Sequence, residues 1–218
     1  VSISQFLSRA ESILIMSFEL VLGTNNAKKL REMKLLLTGI DVEICSLKEI
    51  ENSIEVDETG DTFQANSELK AVEQARHLGK WVLGEDSGLS VAALDGAPGI
   101  YSARFSGPDA TDQKNNQLLL EKLSGVPEEK RTAWYTSHMA LSDPQGNVHI
   151  SCQARCYGRI LVSARGEGGF GYDPLFELVE YDHTFAELGD AVKSMLSHRA
   201  RANRIFLPQF KRLLATLG

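Results

Sequence analysis

The sequence predicts a mixed α/β protein, with a central mixed sheet flanked by helices. Three observations lead there. Hydrophobic periodicity switches repeatedly between a two-residue and a helical repeat, as alternating strands and helices require. Residues 132–141 and 148–162 read as two strands folded back across D-P-Q-G-N, a strong turn signal. The chain also carries no internal repeat, low-complexity tract or proline-rich linker that would divide it.

Taken in order, residues 18–23 read as a buried strand, and 26–37 as a helix with Leu30, Met33 and Leu37 on its apolar side. A short strand is expected at 42–45. Residues 61–78 form a strong helical pattern, with Asp61 or Thr62 as N-cap and Ala65, Leu69, Val72 and Ala75 as the apolar stripe. Residues 81–83 and 89–94 read as strands on either side of a turn, E-D-S-G. A helix follows at 111–123, capped by Asp109 or Thr111. After the hairpin comes a glycine-rich loop at 166–174, then helical stretches near 184–188 and from Lys193 or Ser194 to the end, where Pro208 is expected to kink or interrupt. The long hairpin is expected to form a lobe set against the sheet that carries both ends of the chain.

The 218 residues suffice for one good-sized domain, and 43% apolar content is ordinary for a globular protein. The first 15 residues contain Arg9 and Glu11 and lack a continuous apolar core, so they make a poor signal peptide. Met16 reads as the functional start, with residues 1–16 an extension and 17–218 a single domain. No apolar run approaches the roughly 18–20 residues of a membrane span. A net charge of −6 and the lack of a Lys/Arg run argue against a nucleic-acid polymer as partner. Cys45, Cys152 and Cys156 form no C-x-x-C pair and read as free thiols of a reducing, cytoplasmic compartment.

Five segments can carry chemistry. T-N-N-A-K-K at 24–29 sits where a strand gives way to a helix, whose first N–H groups attract anions. Thr24 and Asn26 add polar side chains and Lys29 a charge; an ordinary capped helix accounts for the same residues. On the helix 61–78, Phe63, Asn66 and Lys70 share a face apart from the apolar stripe. Glu85 and Asp86 in G-E-D-S-G-L offer carboxylates of the kind that hold Mg²⁺ together with substrate phosphates. In G-G-F-G-Y-D-P, glycines allow close backbone approach and Phe170 or Tyr172 offers a ring for a base. K-S-M-L-S-H-R places Lys193, His198 and Arg199 near a helix start, where cations run against the dipole unless an anion is near. The histidines form no zinc pattern, and no G-x-S-x-G or S-x-x-K nucleophile is present.

The ordered set T-N-N-A-K-K, E-T-G-D-T-F-x-x-N-x-x-x-K, E-D-S-G-L, G-A-P-G-I-Y-S-A-R, G-G-F-G-Y-D-P and S-H-R resembles the inosine triphosphate/xanthosine triphosphate pyrophosphatase family, from about Phe18 to the C-terminus. The resemblance implies two lobes with a substrate groove between them, a homodimer, and Mg²⁺-dependent hydrolysis of dITP/ITP or XTP/dXTP to the monophosphate and pyrophosphate. By position it implies that Thr24, Asn25, Asn26, Ala27, Lys28 and Lys29 hold phosphate and that Lys70 contacts the triphosphate. Asp86 becomes the catalytic carboxylate, Glu58 its helper at the metal, and Ser87 a substrate contact. Phe170, Gly171, Tyr172 and Asp173 line the base pocket, which Lys193, His198 and Arg199 complete, with Arg199 donating to the purine C6 oxygen. Two residues depart from the family's T-G-N-x-G-K: Asn25 and Lys28 replace its glycines. A nucleotide-binding module without turnover, and a pyrophosphatase for other modified nucleotides, are the competing readings.

Overall fold

The computed structural model describes residues 18–217. The expected extension 1–16, with its start at Met16, lies outside the described residues. The apolar run at the beginning becomes strand β1 (Phe18–Leu22), followed by helix α1 (Ala27–Leu36) and strand β2 (Val42–Ser46). Helix α2 (Phe63–Leu78) leads into β3 (Trp81–Val91). After α3 (Asp112–Lys122) come the hairpin strands β4 (Thr132–Ser142) and β5 (Val148–Ile160), the short β6 (Phe176–Leu178) and β7 (His183–Thr184), then α4 (Phe185–Leu196) and α5 (His198–Leu217). All seven strands form one sheet in the order β2-β1-β3-β4-β5-β6-β7. β1 runs parallel to β2 and β3, and α1 and α2 are the crossovers such pairing needs. The hairpin is part of this same sheet, antiparallel to β3 on one side and β6 on the other.

The E-D-S-G segment is not a turn. β3 is one unbroken strand whose register with β4 runs from Val82↔Ser142 to Val91↔Ala133. Ten partner residues on β4 outweigh the local turn preference of Asp and Gly, which is a tertiary override of propensity. The two glycines serve close packing. A Cβ on Gly84 would lie 2.2 Å from the Ser67 carbonyl oxygen of α2, and one on Gly88 would lie 2.4 Å from the Gly99 carbonyl oxygen.

That close approach also moves the buried face of α2. Ser67, Ala71, Gln74 and Ala75 are buried, whereas Ala65, Leu69 and Val72 are only half-buried. Thr62 is the N-cap. The C-terminal reading changes too. Ser197 adopts extended backbone between α4 and α5, so Lys193 ends one helix and His198 begins the next. Pro208 does not interrupt α5, which runs continuously to Leu217.

Successive strand residues face opposite sides of a sheet. Even-numbered residues of β3 face α2, and odd-numbered ones face α5. On the α5 side two apolar cores form. One holds Leu83, Met139 and Leu141 with Phe206 and Phe210 of α5. The other holds Leu89, Val91 and Tyr135 with Phe176 and Phe185. Between them, on the same strands, lie Glu85, Ser87 and Ser137, all deeply or largely shielded and polar. The two cores are thus two lobes of one sheet separated by a charged seam. Among the described residues no helix is long and apolar enough to cross a membrane.

Candidate active site

β1 pairs with β3 only as far as Leu22↔Leu83, and from Gly84 onward β3 has no β1 neighbour. The sheet therefore lacks a corner, and a cleft fills it at the carboxyl ends of β1 and β2, a usual place for ligands in parallel α/β sheets. The cleft has two chambers of about 270 Å³ and about 170 Å³, whose shared wall is Asn26, Lys29, Glu58 and Ala103.

The first chamber is lined by Thr24, Asn25 and Lys70 as well as the shared residues. Asn26 is the N-cap of α1, and its side-chain oxygen accepts from the amides of Lys28 (3.0 Å) and Lys29 (3.2 Å). Two of the helix N–H groups expected to cradle an anion are therefore already capped. Ala27 and Lys28 are exposed and line neither chamber. Lys29 reaches inward, its Nζ 3.0 Å from Glu85 Oε2, an ion pair without hydrogen-bond alignment.

Lys70 Nζ donates to Asp86 Oδ1 at 3.0 Å and to Glu58 Oε1 at 3.2 Å, so one ammonium joins two carboxylates. Asn66, one turn before Lys70, donates to Asp86 Oδ2 at 3.4 Å and accepts from the Gly60 amide at 2.8 Å. The face shared by Asn66 and Lys70 thus meets the strand carboxylate and steadies the loop that carries Glu58. Burial pushes the Asp86 carboxyl above its usual range, with Lys70 and Lys29 pulling the other way. Burial lowers the Lys70 ammonium, but Asp86 and Glu58 outweigh it and the pKa is raised. Among the described residues no three His, Cys, Asp or Glu side chains cluster as a ready metal cage.

Glu85 lies on the other face of β3. It accepts from Arg199 Nε (3.1 Å) and Ser137 Oγ (2.9 Å). Burial would raise its carboxyl, but Arg199, Lys29 and Lys70 hold it well below the carboxylate range. Arg199 also donates to Glu32 Oε2 (2.6 Å) and Ser87 Oγ (2.7 Å). Three of its five N–H groups are thus engaged, and spare donors remain at the chamber wall.

The second chamber is the aromatic one. Phe170, Gly171, Tyr172, Asp173 and Ser87 line it, with Lys193, His198 and Arg199. The Lys193 ammonium stands 4.0 Å from the Phe170 ring centroid and is paired with Asp173 (2.5 Å) and Glu32 (2.9 Å). Tyr172 is buried and its hydroxyl donates to the Ser102 carbonyl at 2.8 Å. The His198 ring stacks on Tyr135 at 4.6 Å. Burial, then the neighbouring Arg199, push its imidazole well below the ordinary value, so it is neutral at pH 7. Its Nδ1 is buried without a partner among the described residues.

Sequence reasoning missed Glu32, Asp112 and Tyr135. Glu32 follows Lys29 at i+3 on a surface helix, which looks like an ordinary solvated pair. Nothing local shows that it reaches Lys193 and Arg199.

Fold and cleft together define an α/β protein whose sheet frames a cleft with a cationic and an aromatic half. A family model described as the Ham1 family matches residues 20–209, and the chain belongs to that family. It is 53% identical over 197 residues to a protein named dITP/XTP pyrophosphatase from Rhodopirellula baltica, covering 90% of this chain and 95% of that one. It is 44% identical to the protein of the same name from Desulforamulus reducens, covering 88% and 98%. A solved Ham1 protein from Coxiella burnetii superposes with TM-score 0.82 at 34% identity, covering 89% and 99%. That from Staphylococcus aureus gives 0.78 at 36%, covering 92% and 100%.

Proposed function

We propose that this protein hydrolyses non-standard purine nucleoside triphosphates, dITP/ITP and XTP/dXTP, to the monophosphate and pyrophosphate, clearing them from the nucleotide pool. One observation carries the reading: Asp86 lines the aromatic chamber, and Lys70, which lines the other chamber, joins its carboxylate to Glu58 on the wall the two share. A nucleotide laid through the cleft would put its phosphates among Thr24, Lys29 and Lys70 and its base beside Phe170 and His198. The anhydride bond between the α and β phosphates, which must break to give the monophosphate and pyrophosphate, would then fall near Asp86.

The donor set suits Mg²⁺. Glu58 and Asp86 already share one cation, the Lys70 ammonium, and magnesium takes one or two carboxylates and completes its shell with phosphate oxygens and water. When bound, the ion would neutralise charge on the phosphates. Glu85 is the poorer candidate, since it lies on the opposite face of β3 and is occupied by Arg199, Ser137 and Lys29. Asp86, with its carboxyl raised by burial, is suited to orient the attacking water and accept its proton. Lys29 and Lys70 stabilise the charge on the leaving pyrophosphate.

Base choice follows from hydrogen-bond polarity. Spare N–H groups of Arg199 and the neutral His198 ring suit the C6 oxygen of hypoxanthine or xanthine. Adenine presents an amino donor there, and each buried mismatch costs about 1–3 kcal/mol. We further propose a homodimer working in the cytoplasm; the three free cysteines suit a reducing compartment.

The test is a substrate panel of ITP, XTP, dITP, GTP, ATP and dUTP with Mg²⁺, run on wild type and Asp86→Asn. Pyrophosphate release should favour ITP, dITP and XTP. The Asp86→Asn enzyme should lose nearly all turnover while still binding nucleotide. Wild-type-like turnover in that variant, or equal rates on ATP, sinks the reading. Sedimentation equilibrium tests the dimer.

A further inference from the structure

The aromatic loop is held by helix α3, whose first residue, Asp112, also stands at the edge of the aromatic chamber. Asp112 opens α3, and one of its oxygens accepts from the Gly171 amide at 2.9 Å and from Lys28 Nζ at 3.1 Å. Asn116, four residues on and so on the same helix face, donates to the Gly171 carbonyl at 2.9 Å. Both backbone polar groups of Gly171 are therefore clipped to α3.

Gly171 has φ +62°, and among the described residues, its chain neighbours aside, no atom lies within 4 Å of where a Cβ would sit. Its conformation is left-handed, and packing around it does not select that conformation. A glycine in such surroundings samples many backbone states. On one side of it, Phe170 carries the ring beside the Lys193 ammonium; on the other, Tyr172 is anchored by its hydroxyl to Ser102. Rotation at Gly171 would swing Phe170 away from the chamber while Tyr172 stayed put. The inner hold on Phe170 is a hydrogen bond from its amide to Asp173 Oδ2 at 2.8 Å. The clip supplies the outer hold.

We propose that Asp112 and Asn116 are positioning residues that lock the Gly171 backbone and thereby keep Phe170 in place for the base. The inference rests on the nucleotide reading given above. A preordered loop loses less freedom when the base arrives, so the clip acts on recognition rather than on bond cleavage. Lys28 adds a further tie through Asp112. It stands where the resembling family usually has glycine, and through Asp112 it ties the start of α1 to the aromatic loop.

The test compares Asp112→Ala, Asn116→Ala and Asp112→Asn with wild type by two readouts: amide exchange of the 168–173 segment, and the ITP/ATP ratio of kcat/KM. Asp112 is half exposed, so its removal leaves the core intact. Both alanine variants should speed exchange and lower the ratio by about tenfold. Asp112→Asn keeps an acceptor for the Gly171 amide and should stay within about twofold of wild type on both. Unchanged exchange in both alanine variants overturns the proposal, and so does an asparagine variant as impaired as the alanine one. Exchange does not depend on turnover. A wild type inert towards ITP but with clip-dependent exchange would sink the function and support the clip.

Discussion

Lys70 and Arg199 are both buried cations with carboxylate partners, yet they differ in what they leave free. Lys70 sits between Asp86 and Glu58 at the edge of the phosphate chamber and touches nothing that would meet a base. Lys70→Ala should therefore lower kcat/KM for every nucleotide by a similar factor, measured across the substrate panel. A loss confined to one base would place Lys70 in the wrong half of the site. Arg199 is enclosed, with 3% exposure, and holds Glu85, Glu32 and Ser87 together. The sequence suggested contact with phosphate or a base edge, and if the purine C6 oxygen is the acceptor, alanine should cost ITP and XTP more than ATP. The structure adds a second consequence: Arg199→Ala strips two shielded carboxylates of their main partner. Breaking a buried pair costs about 3–5 kcal/mol, at the lower end here because Lys29 and Lys193 remain. The melting temperature should fall, and the ITP/ATP ratio must be read at a temperature where the variant is still folded.

At the level of elements, the contact of α2 with β3 sets the distance from Lys70 to Asp86. Gly84 makes that contact possible, and the atom a side chain would strike, the Ser67 carbonyl oxygen, is backbone and cannot swing aside. Gly84→Ala should push the helix off the strand, costing about 1–3 kcal/mol in stability and separating Lys70 and Asn66 from Asp86. Denaturant unfolding and turnover should both suffer; a variant with full activity would show that the spacing is not critical. This contact also explains what could and could not be read from the chain. The strand–helix junction at Asn26, the cap at Thr62, the D-P-Q-G-N hairpin and the aromatic glycine loop were legible because each depends on neighbours in sequence. The E-D-S-G strand was not, because its pairing partner lies on β4, some fifty residues away by register. The buried stripe of α2 was misread for a related reason: a glycine-lined strand lets polar Ser67 and Gln74 pack inward through their backbone and amide contacts. Glu32 was invisible since its partners come from α4 and α5.

For the molecule as a whole, Glu32 is the link between the first helix and the last two. Burial tends to raise its carboxyl, but Arg199 and Lys193 outweigh this and hold it below the ordinary value. A depressed folded pKa stabilises the native state fully above the unfolded value, about 4.3, and that contribution is lost as pH falls below it. Melting temperature should therefore decline as pH drops from about 5 towards 3, and Glu32→Gln should show a shallower decline over that range. Equal slopes would show that other carboxylates carry the acid sensitivity.

The missing corner of the sheet has a wider meaning. β1 stops at Leu22 while its neighbour continues to Val91, so the recess owes its existence to a difference in strand length. Its floor is ladder, while its walls combine the start of α1 with the loops that carry Glu58 and Phe170. The recess is an omission in an otherwise regular framework, and the surrounding hydrogen-bonded rows give it a fixed frame. Such a hollow can be closed by extending one strand and re-dimensioned by trimming another. Its fittings, the glycine loop and the lysines, can vary from relative to relative without disturbing the frame.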